Sequence, residues 1–376
     1  MPLTRPDPEP RAGVPQHVAI VGAGVAGAAV AHALAQRGVA VTVLERAAGP
    51  AQAASGNPVA VFRPLIARDD SCAVRLTRAA FLHDLRSWPT LDGLEWSRCG
   101  VLHLARDAEA AAKQQQALAG RTTPGDLARW ADLAEARELA NWPVASPGVF
   151  YPTSGWVVPA TLCRAWLGHP GIALKTGCDV ARLHPQAGGW RVLGTDGGLL
   201  AEADAVVLAN ARDALGLMPD QAWPLHTVRG QITRLPPGSL PQIGRVIARE
   251  GYVAPGAGQL LVGATYEHGD DDTSPRATSD LANLARLESI LPGAGAQLAD
   301  AAVSGRASLR ATLPDRLPIV GAVDGHPGCY VAAGYASRGV VWAGLLGEAL
   351  ADLMTGQPVA LDTDVMRAIA PGRFRR

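Results

Sequence analysis

The hydrophobic pattern near the start of the chain predicts a strand, a helix and a second strand. Residues 17–21 form a short apolar run, which is typical of a buried strand. Residues 25–37 are rich in alanine and end at Gly38, as expected for a helix and its C-terminal stop. Residues 39–44 are again almost continuously apolar, as a parallel strand covered on both faces should be. Together these segments predict a βαβ unit.

The rest of the chain alternates shorter segments. We predict helices over residues 76–88, 160–167, 279–290 and 339–354, and mostly helix over residues 105–140 with a break near Pro124 and Gly125. Strands are predicted at residues 172–176, 180–183, 190–193, 205–209 and 330–333. Between residues 226 and 309, short β-rich pieces separated by turns indicate a second, sheet-containing domain.

The composition is that of a globular protein. The 376 residues are 48% hydrophobic and 18% charged, a balance far from that of disordered chains. Because single cores stop growing at roughly 250–300 residues, we expect two domains. The 34 acidic and 34 basic residues cancel, so recruitment of nucleic acid or an anionic membrane would need a local patch of charge.

Cysteine usage and hydropathy indicate the compartment. The five cysteines are scattered, with no CxxC pair and no histidine at metal-ligand spacing, so we expect reduced thiols and no metal site. The first fifteen residues lack the apolar core of a signal peptide. The most apolar stretch, residues 18–31, contains three glycines and is shorter than the ~20 residues that a membrane span needs. We therefore expect a cytoplasmic protein with no membrane partner.

A glycine-rich loop joins the first predicted strand to the first predicted helix. Its sequence is Gly22-Ala23-Gly24-Val25-Ala26-Gly27. In such a loop the first glycine permits the turn, the second lets the backbone approach a pyrophosphate, and the third allows the helix to pack closely on the sheet. The positive end of the helix then faces the phosphates. We expect Gly22, Gly24, Ala26 and Gly27 to contact a dinucleotide.

An acidic residue ends the second predicted strand. Glu45 is placed to accept hydrogen bonds from ribose hydroxyls, and Arg46 follows it as a further candidate contact. A carboxylate at this position disfavours a 2′-phosphate. FAD or NAD is therefore preferred to NADP.

A second glycine-rich turn near the C-terminus favours a flavin. Gly334-Tyr335-Ala336-Ser337-Arg338-Gly339 lies between a predicted strand and a predicted helix, so it offers another helix N-terminus with unpaired amides. A reduced flavin carries negative charge that such a terminus stabilises. We expect Gly334, Ser337, Arg338 and Gly339 to contact FAD. The alternative is an ordinary strand-to-helix turn.

Motifs spread over nearly the whole chain resemble the D-amino-acid oxidase and glycine oxidase superfamily. They are the first glycine loop, Glu45, Ala54-Ser55-Gly56-Asn57, Val228-Arg229-Gly230-Gln231, Leu309-Arg310, the segment from Asp315 to Gly321, and the C-terminal glycine turn. The resemblance implies an α/β fold, in which a Rossmann-like FAD-binding domain carries a smaller α+β substrate domain as in glycine oxidase. It adds Ala54, Ser55, Gly56 and Asn57 to the expected FAD contacts. We expect residues 15–90, 150–225 and 310–376 in the FAD-binding domain, and residues 91–149 and 226–309 in the substrate domain.

Within the superfamily the chain is most similar to the FAD-dependent domain of the MnmC family of tRNA-modifying enzymes. The segments that carry this likeness are Ala54 to Asn57 with Pro64-Leu65, Gly155 to Ala160, Gly263 to Tyr266, and Ser337 to Gly339. The resemblance implies FAD-dependent oxidation of a carboxymethylaminomethyl group on the wobble uridine of tRNA, giving aminomethyluridine and glyoxylate. It makes tRNA the expected partner, and molecular oxygen is the simplest electron acceptor.

Two features depart from the patterns of these relatives. The bifunctional enzymes carry a methyltransferase half before the FAD domain, whereas this sequence reaches its glycine loop after about twenty residues. If the resemblance holds, we expect another protein to perform the methylation. In sarcosine oxidases of the superfamily a cysteine holds the flavin covalently, and Ser308 occupies that position here. We therefore expect non-covalent FAD.

Arg310 is the candidate catalytic residue. A glycine-like substrate carries a carboxylate, and the planar fork of an arginine binds it through two parallel charge-assisted hydrogen bonds. Arg310 falls on the substrate-arginine position of the superfamily. The alternative is a structural ion pair with an acid such as Asp315. Weaker candidates for substrate binding are Arg306, Tyr252 and Tyr266, although such tyrosines more often simply pack.

A tRNA-binding protein should show a local basic surface. Arginines concentrate in residues 63–86 (Arg63, Arg68, Arg75, Arg78 and Arg86) and near the C-terminus (Arg367, Arg373, Arg375 and Arg376). Because arginine is abundant throughout the chain, an ordinary solvated face explains these clusters equally well.

The sequence leaves three hypotheses open. The first is a tRNA-modifying FAD oxidoreductase, and the second is an oxidase of a free small amino acid such as glycine, sarcosine or a D-amino acid. The third is a flavin-binding protein without catalytic activity. The first two would use the same catalytic residues and differ in how the substrate enters.

Overall fold

The computed structural model describes residues 13–119, 124–241, 243–298 and 302–374. The strands in these residues are β1 His17–Val21, β2 Ala40–Glu45, β3 Ala60–Phe62, β4 Trp96–Ser97, β5 Val101–Leu104, β6 Arg129–Ala131, β7 Gly148–Tyr151, β8 Gly155–Val157, β9 Ile172–Thr176, β10 Val180–Gln186, β11 Gly189–Gly194, β12 Leu199–Ala203, β13 Ala205–Leu208, β14 His226–Leu235, β15 Val246–Ala248, β16 Tyr252–Gly256, β17 Gln259–Gly263, β18 Glu267–His268, β19 Ser304–Thr312, β20 Ile319–Ala322 and β21 Cys329–Ala333.

The helices are α1 Val25–Gln36, α2 Cys72–Ser87, α3 Ala108–Ala119, α4 Leu133–Ala140, α5 Pro159–Leu167, α6 Ala214–Leu217, α7 Ala277–Ile290, α8 Ala294–Gln297, α9 Gly339–Thr355 and α10 Thr363–Ile369. Short 3₁₀ helices cover Ala54–Gly56, Trp88–Thr90, Ala211–Asp213, Ala336–Arg338 and Pro371–Phe374.

The chain divides into two compact units. Unit 1 takes the described residues within 1–52, 163–226 and 311–376, and unit 2 takes those within 53–162 and 227–310. Residues 53–90 and 150–162, which we expected in the FAD-binding domain, belong to unit 2 by their contacts. The physical reason is strand pairing, because β3 and β4 both pair with β8 in a small antiparallel sheet.

Unit 1 is built on a six-stranded sheet of order β20-β21-β13-β1-β2-β9. Its strands run parallel, except that β20 lies antiparallel to β21 at one edge. The central strands β1 and β13 are almost wholly buried, which explains why they read as continuous apolar runs. The predicted βαβ unit is confirmed, with its second strand shifted by one residue to Ala40–Glu45.

Helix α1 packs on the sheet of unit 1 and on the long helix α9. The two helices approach closely, because a Cβ on Gly347 of α9 would lie 2.8 Å from the backbone of Ala29 on α1. Both helices are predominantly apolar and mostly buried. A separate antiparallel sheet, β10-β11-β12, completes the unit.

Unit 2 contains a larger, mainly antiparallel sheet. Its order is β18-β14-β17-β16-β15-β5-β7-β6, and β19 also pairs with β14. Leu287 and Ile290 of α7 belong to the apolar core cluster that also takes Leu235 of β14 and Val262 of β17. The sheet-containing second domain predicted between residues 226 and 309 is therefore present.

The prediction of mostly helix over residues 105–140 is wrong in part. Helices α3 and α4 occur there, but β6 lies between them and pairs with β7. Sheet pairing overrides the helical propensity of this short stretch. Helix α4 then begins after Asp132, whose side chain accepts a hydrogen bond of 2.9 Å from the amide of Glu135, a regular N-cap.

All five cysteines are free thiols, as expected from their spacing. Burial raises the pKa of the Cys163 thiol to about 12. In the described part of the chain, no helix has the length and apolar character required to cross a membrane.

One buried carboxyl group predicts how stability depends on pH. Asp84 on α2 is 0% exposed, and both of its side-chain oxygens lack a hydrogen-bond partner among the described residues. The Nδ1 atom of His83 lies 3.6 Å away. Burial raises the pKa of the Asp84 carboxyl well above its ordinary value.

The folded protein therefore holds a proton that the unfolded chain releases above about pH 4. The free energy of unfolding should fall as the pH rises beyond that point, by up to ~1.4 kcal/mol per pH unit until the folded pKa is reached. We expect Asp84→Asn to gain stability relative to the wild type between pH 5 and pH 8, measured by urea unfolding at each pH. The exposed Asp92→Asn is the control, and a stability difference that does not change with pH would contradict the prediction.

Candidate functional site

The glycine loop of unit 1 brings the start of α1 against the sheet. Gly22 has a φ of +101°, and a Cβ there would lie 2.8 Å from the carbonyl oxygen of Ala209. A Cβ on Gly27 would overlap the carbonyl oxygen of Gly22. Only glycine fits these two positions, so the backbone has the tight turn and close packing that the sequence predicted.

The N-terminus of α1 has no side-chain cap. Gly24 is the N-cap residue, with extended backbone and no side-chain hydrogen bond to the first turn. The first turn contains no acidic side chain, although acidic residues often occupy this position in helices. Ala26 lies in this turn. The helix end is therefore suited to an anionic ligand.

Glu45 is held beside the glycine loop. One carboxylate oxygen accepts a hydrogen bond of 2.8 Å from the amide of Ala23, and the other accepts one of 2.9 Å from the amide of Ala47. Each oxygen retains further acceptor capacity for a ligand hydroxyl. By contrast, Arg46 is exposed and pairs with Asp213 at 2.8 Å.

The C-terminal glycine turn adjoins the same loop. Gly334 has a φ of +75°, and α9 begins at Gly339 without a side-chain cap. A Cβ on Gly339 would lie 3.3 Å from the side chain of Val25, the first residue of α1. Ser337 and Arg338 belong to the short 3₁₀ helix Ala336–Arg338, which lies between Gly334 and Gly339. The guanidinium of Arg338 lies 5.5 Å from the ring centre of Trp342. Two uncapped helix starts therefore meet in unit 1.

The segment from Ala54 to Asn57 lies in unit 2, where it is tied to Arg306. Ala54, Ser55 and Gly56 form a 3₁₀ helix that Asn57 ends. Arg306 donates a hydrogen bond of 2.6 Å to the side-chain oxygen of Asn57 and one of 2.7 Å to the carbonyl oxygen of Ala53. The structure thus joins the weaker arginine candidate to a segment that we expected to contact FAD.

Arg310, Tyr252 and Tyr266 lie together in unit 2. The guanidinium of Arg310 stands 4.5 Å from the ring centre of Tyr266 and donates a hydrogen bond of 3.3 Å to the carbonyl oxygen of Thr265. Its charge also acts on the hydroxyl of Tyr252. Burial outweighs this effect and raises the pKa of Tyr252 to about 12, so that this tyrosine stays protonated at ordinary pH.

The suspected ion pair of Arg310 is not observed. Asp315 instead pairs with Arg373, at 2.8 Å. Among the described residues, no carboxylate lies within ion-pair distance of Arg310. This guanidinium is therefore suited to binding an anionic ligand.

Gly230 makes room for Arg310. A Cβ on Gly230 would overlap the guanidinium of Arg310. The glycine therefore permits a close approach between the side chain of β19 and the backbone of β14. This explains one residue of the Val228-Arg229-Gly230-Gln231 segment, for which the sequence alone indicated no role.

Sequence reasoning missed the supporting role of Arg229. It is 0% exposed and donates hydrogen bonds to the carboxylate of Glu267 at 2.9 Å, to Gln231 at 3.0 Å, and to the carbonyl oxygens of Asp272 and Ser274 at 2.6 and 2.7 Å. Since Glu267 follows Tyr266, Arg229 fixes the segment that packs on Arg310. The available signal was the polar alternation of Arg229, Gln231 and Thr233 along an otherwise apolar strand.

The predicted basic clusters are only partly exposed. Arg68, Arg86 and Arg367 are exposed, whereas Arg78 pairs with Asp70 at 3.2 Å and Arg373 pairs with Asp315. Two more members of the clusters, Arg75 and Arg63, are partly buried. The last two, Arg375 and Arg376, lie outside the described residues.

An apolar cleft of about 550 Å³ lies elsewhere in unit 2. Its lining includes Leu65, Val74, Leu82 and Leu127, with Arg78 at its edge. None of the predicted FAD contacts lines this cleft, and neither do Arg310, Arg306, Tyr252 and Tyr266. Cavity size alone therefore does not locate the candidate site.

Comparison with known proteins gives a family and several relatives. The model of the family described as FAD dependent oxidoreductase matches residues 17–353. The bifunctional protein MnmC of Thiobacillus denitrificans, named for tRNA 5-methylaminomethyl-2-thiouridine biosynthesis, is 70% identical over 367 residues, which are 96% of this chain and 60% of that protein. The protein of the same name from Paraburkholderia phytofirmans is 41% identical over 400 residues, covering 98% of this chain and 61% of its own length. These matches confirm the resemblance that the motifs indicated.

The chain thus spans about 60% of the length of the curated relatives that it matches. Among solved structures, glycine oxidase from Geobacillus kaustophilus superposes with a TM-score of 0.81 at 23% identity, over 96% of this chain and 99% of that one. At this identity the likeness concerns the fold. It confirms the predicted fold class of a Rossmann-like α/β protein with a second, sheet-containing part.

The close approach at Gly27 predicts a cofactor-binding defect. In Gly27→Val the side chain would push α1 away from Gly22 and displace the helix N-terminus. We expect the purified variant to lose most of its FAD, measured as the ratio of flavin absorbance to protein absorbance. The control is Gly216→Ala, because a Cβ at Gly216 meets nothing within 4 Å. Full flavin content in Gly27→Val would contradict the prediction.

The overlap at Gly230 predicts a substrate-binding defect without loss of cofactor. In Gly230→Ala the new methyl group takes the space of the Arg310 guanidinium, so the arginine must move. Because a small misplacement of a positioning group has large effects, we expect kcat/KM to fall about 10²-fold. Flavin content should stay at the wild-type level. Gly244→Ala, where a Cβ meets nothing within 4 Å, should retain wild-type kinetics, and equal kinetics of both variants would refute this account.

Proposed function

The chain belongs to the family of FAD-dependent oxidoreductases, so FAD is its cofactor, and from this premise we propose the following reaction. The enzyme oxidises the C–N bond of a carboxymethylaminomethyl group on the wobble uridine of tRNA, giving aminomethyluridine and glyoxylate. The observation that carries the proposal is Arg310, held in place by Gly230, Thr265 and Tyr266 with no carboxylate partner in the described part of the chain. The relatives named for tRNA modification supply the substrate class.

The residues of unit 1 fit FAD. At Gly22 and Gly27 a side chain would collide with backbone atoms, so the turn stays tight. The start of α1 at Gly24 has no side-chain cap and suits a pyrophosphate. Glu45 has acceptor capacity for ribose hydroxyls. The start of α9, which also has no side-chain cap, suits the electron-rich edge of the flavin. The proposed contacts there are Gly334, Ser337, Arg338 and Gly339.

Three finer assignments complete the cofactor proposal. We propose Ala54 to Asn57 as FAD contacts because of the family resemblance. Ala26 and Arg46 are proposed FAD contacts because of their positions in the sequence. Ser308 is buried, and its hydroxyl offers no thiol for attachment, so we propose non-covalent FAD. Molecular oxygen is the proposed electron acceptor, since it requires no partner protein.

Arg310 binds the carboxylate of the substrate arm through a bidentate pair of charge-assisted hydrogen bonds. Its stacking on Tyr266 and its bond to Thr265 fix the direction of the guanidinium, so the arm is oriented rather than merely attracted. Tyr252 remains a hydrogen-bond donor at ordinary pH because its pKa is about 12. It is a candidate second donor to the same carboxylate.

The oxidation itself requires few catalytic groups from the protein. Bound FAD would supply the oxidation by accepting a hydride from the methylene carbon that lies between the nitrogen and the carboxylate of the substrate. The amine must be neutral for this to occur, and water then hydrolyses the imine of the substrate. Because the proposed substrate is tRNA, we also propose a cytoplasmic location.

Anaerobic mixing tests the substrate class. We expect tRNA that carries the carboxymethylaminomethyl group to bleach the flavin absorbance of the holoenzyme, whereas glycine, sarcosine and D-alanine do not. The released glyoxylate is measured in the same sample. Bleaching by a free amino acid but not by tRNA would replace the proposal with an oxidase of small amino acids.

Arg310→Met tests the carboxylate clamp. Loss of charge-assisted hydrogen bonds costs about 1.5–3 kcal/mol each, so we expect the affinity for modified tRNA to fall about 10²-fold. Arg310→Lys keeps the charge without the planar fork and should give an intermediate effect. Flavin content should not change in either variant. Loss of FAD would show that Arg310 holds the cofactor instead.

A further inference from the structure

Tyr266 is an exposed aromatic side chain in the segment that joins β17 to β18. It is 57% exposed. The described residues include every Phe, Trp and Tyr of the chain, and all the others are buried or half-buried. A single exposed apolar side chain is common on protein surfaces and does not by itself make a site. Two features of its surroundings distinguish this ring.

The residues on both sides of Tyr266 are held in place. Thr265 is 4% exposed. Its amide donates a hydrogen bond of 3.0 Å to the carbonyl oxygen of Gln231, and its hydroxyl accepts one of 2.9 Å from the amide of Gln231. Glu267 pairs with the buried Arg229 at 2.9 Å. Because both neighbours are anchored in this network, the backbone sets the position of the exposed ring.

The ring also lies against the proposed carboxylate clamp. The guanidinium of Arg310 stands over one face of the Tyr266 ring, 4.5 Å from its centre. A cation–π contact of this kind occupies one face of a ring and leaves the other face without the cation. The exposed ring and the anion-binding group are therefore neighbours, and one ligand can contact both.

The proposed substrate carries an aromatic base at a matching distance. In a carboxymethylaminomethyl group, four single bonds of about 1.5 Å each separate the carboxylate carbon from the uracil ring, which therefore lies within about 6 Å of it. A carboxylate bound by Arg310 thus brings the uracil close to Tyr266. A free amino acid such as glycine ends at its amine and has no ring at this distance.

We propose that the exposed ring of Tyr266 stacks on the base of the modified uridine while Arg310 binds the carboxylate at the other end of the same arm. This inference rests on the proposed function. Proteins hold the unpaired bases of RNA by stacking them on aromatic side chains. Tyr266 and Arg310 together recognise a base and an anion on one ligand, so they favour a nucleotide over a free amino acid. Tyr266 is a specificity residue and takes no part in the oxidation.

Tyr266→Ala in the holoenzyme tests the stacking, with Leu281→Ala as the matched control. Leu281 on α7 is 66% exposed, so its loss also removes exposed apolar surface. We expect Tyr266→Ala to weaken binding of a modified anticodon stem-loop RNA about tenfold, measured by fluorescence anisotropy. Tyr266→Phe keeps the ring and should bind like the wild type, whereas Tyr266→Leu keeps only apolar bulk and should bind as weakly as Tyr266→Ala. Leu281→Ala should leave the affinity unchanged.

Sarcosine separates stacking from an indirect effect on Arg310. It carries the carboxylate and the amine of the substrate arm but no base. In competition with the labelled RNA, its affinity should fall no more than about threefold in Tyr266→Ala, because only the cation–π contact to Arg310 is lost. Equal losses for sarcosine and for RNA would show that Tyr266 only positions Arg310, and would overturn the proposal.

Three other results would also overturn the stacking. The first is unchanged RNA affinity in Tyr266→Ala, and the second is wild-type RNA affinity in Tyr266→Leu. The third is loss of FAD from Tyr266→Ala, measured as the ratio of flavin absorbance to protein absorbance, which would assign the ring to the cofactor.

Failure of the proposed function gives a different result, because modified tRNA then does not bleach the wild-type flavin. The anisotropy measurement requires no turnover, so it still decides the stacking in that case. Modified RNA that does not bind the wild type at all would refute both proposals.

Discussion

Unit 1 depends on the close approach of α1 to the first strand. The backbone of Gly27 lies against the carbonyl of Gly22, and Gly22 itself turns beneath the end of β13. This contact sets the position of the helix N-terminus, and α9 packs on α1 through Gly347. The start of α9 then lies next to the start of α1, so both helix ends point to one place. A cofactor with a pyrophosphate and an electron-rich ring suits that arrangement.

In unit 2 the two faces of β14 have different roles. Arg229, Gln231 and Thr233 are buried in a hydrogen-bonded network with Asp280 and neighbouring residues. The alternate residues on the other face leave space for Arg310 and contribute Arg234. Because the network is well satisfied, it fixes the strand that supports the arginines. The support and the binding groups therefore come from adjacent residues of one segment.

Two independent observations support the proposed function. The geometry supplies an arginine that is rigidly held and lacks a carboxylate partner in the described residues, which indicates a carboxylate-bearing substrate. The relatives named for tRNA modification supply the class of molecule in our proposal. Neither observation suffices alone, because glycine oxidase shares the fold with this chain and the fold does not select the substrate.

The amino-acid sequence by itself determined the local features. The apolar run of β1, the glycines at 22, 24 and 27, and Glu45 at the end of β2 were readable because each depends on neighbours within a few residues. Helix α9 and the turn before it could be predicted from the sequence for the same reason. The insertion of β6 within an apparently helical region was not, because pairing with a distant strand decided it.

Only the tertiary structure decided which distant residues meet. Arg306 donates a hydrogen bond to Asn57, and Asp315 forms an ion pair with Arg373 and not with Arg310. Arg310 lies in the space left by Gly230. The tertiary structure also gave Arg229 a buried structural role and left Arg234 without a partner among the described residues. Such roles depend on strand register and burial across long stretches of chain, and residue type and spacing do not contain that information.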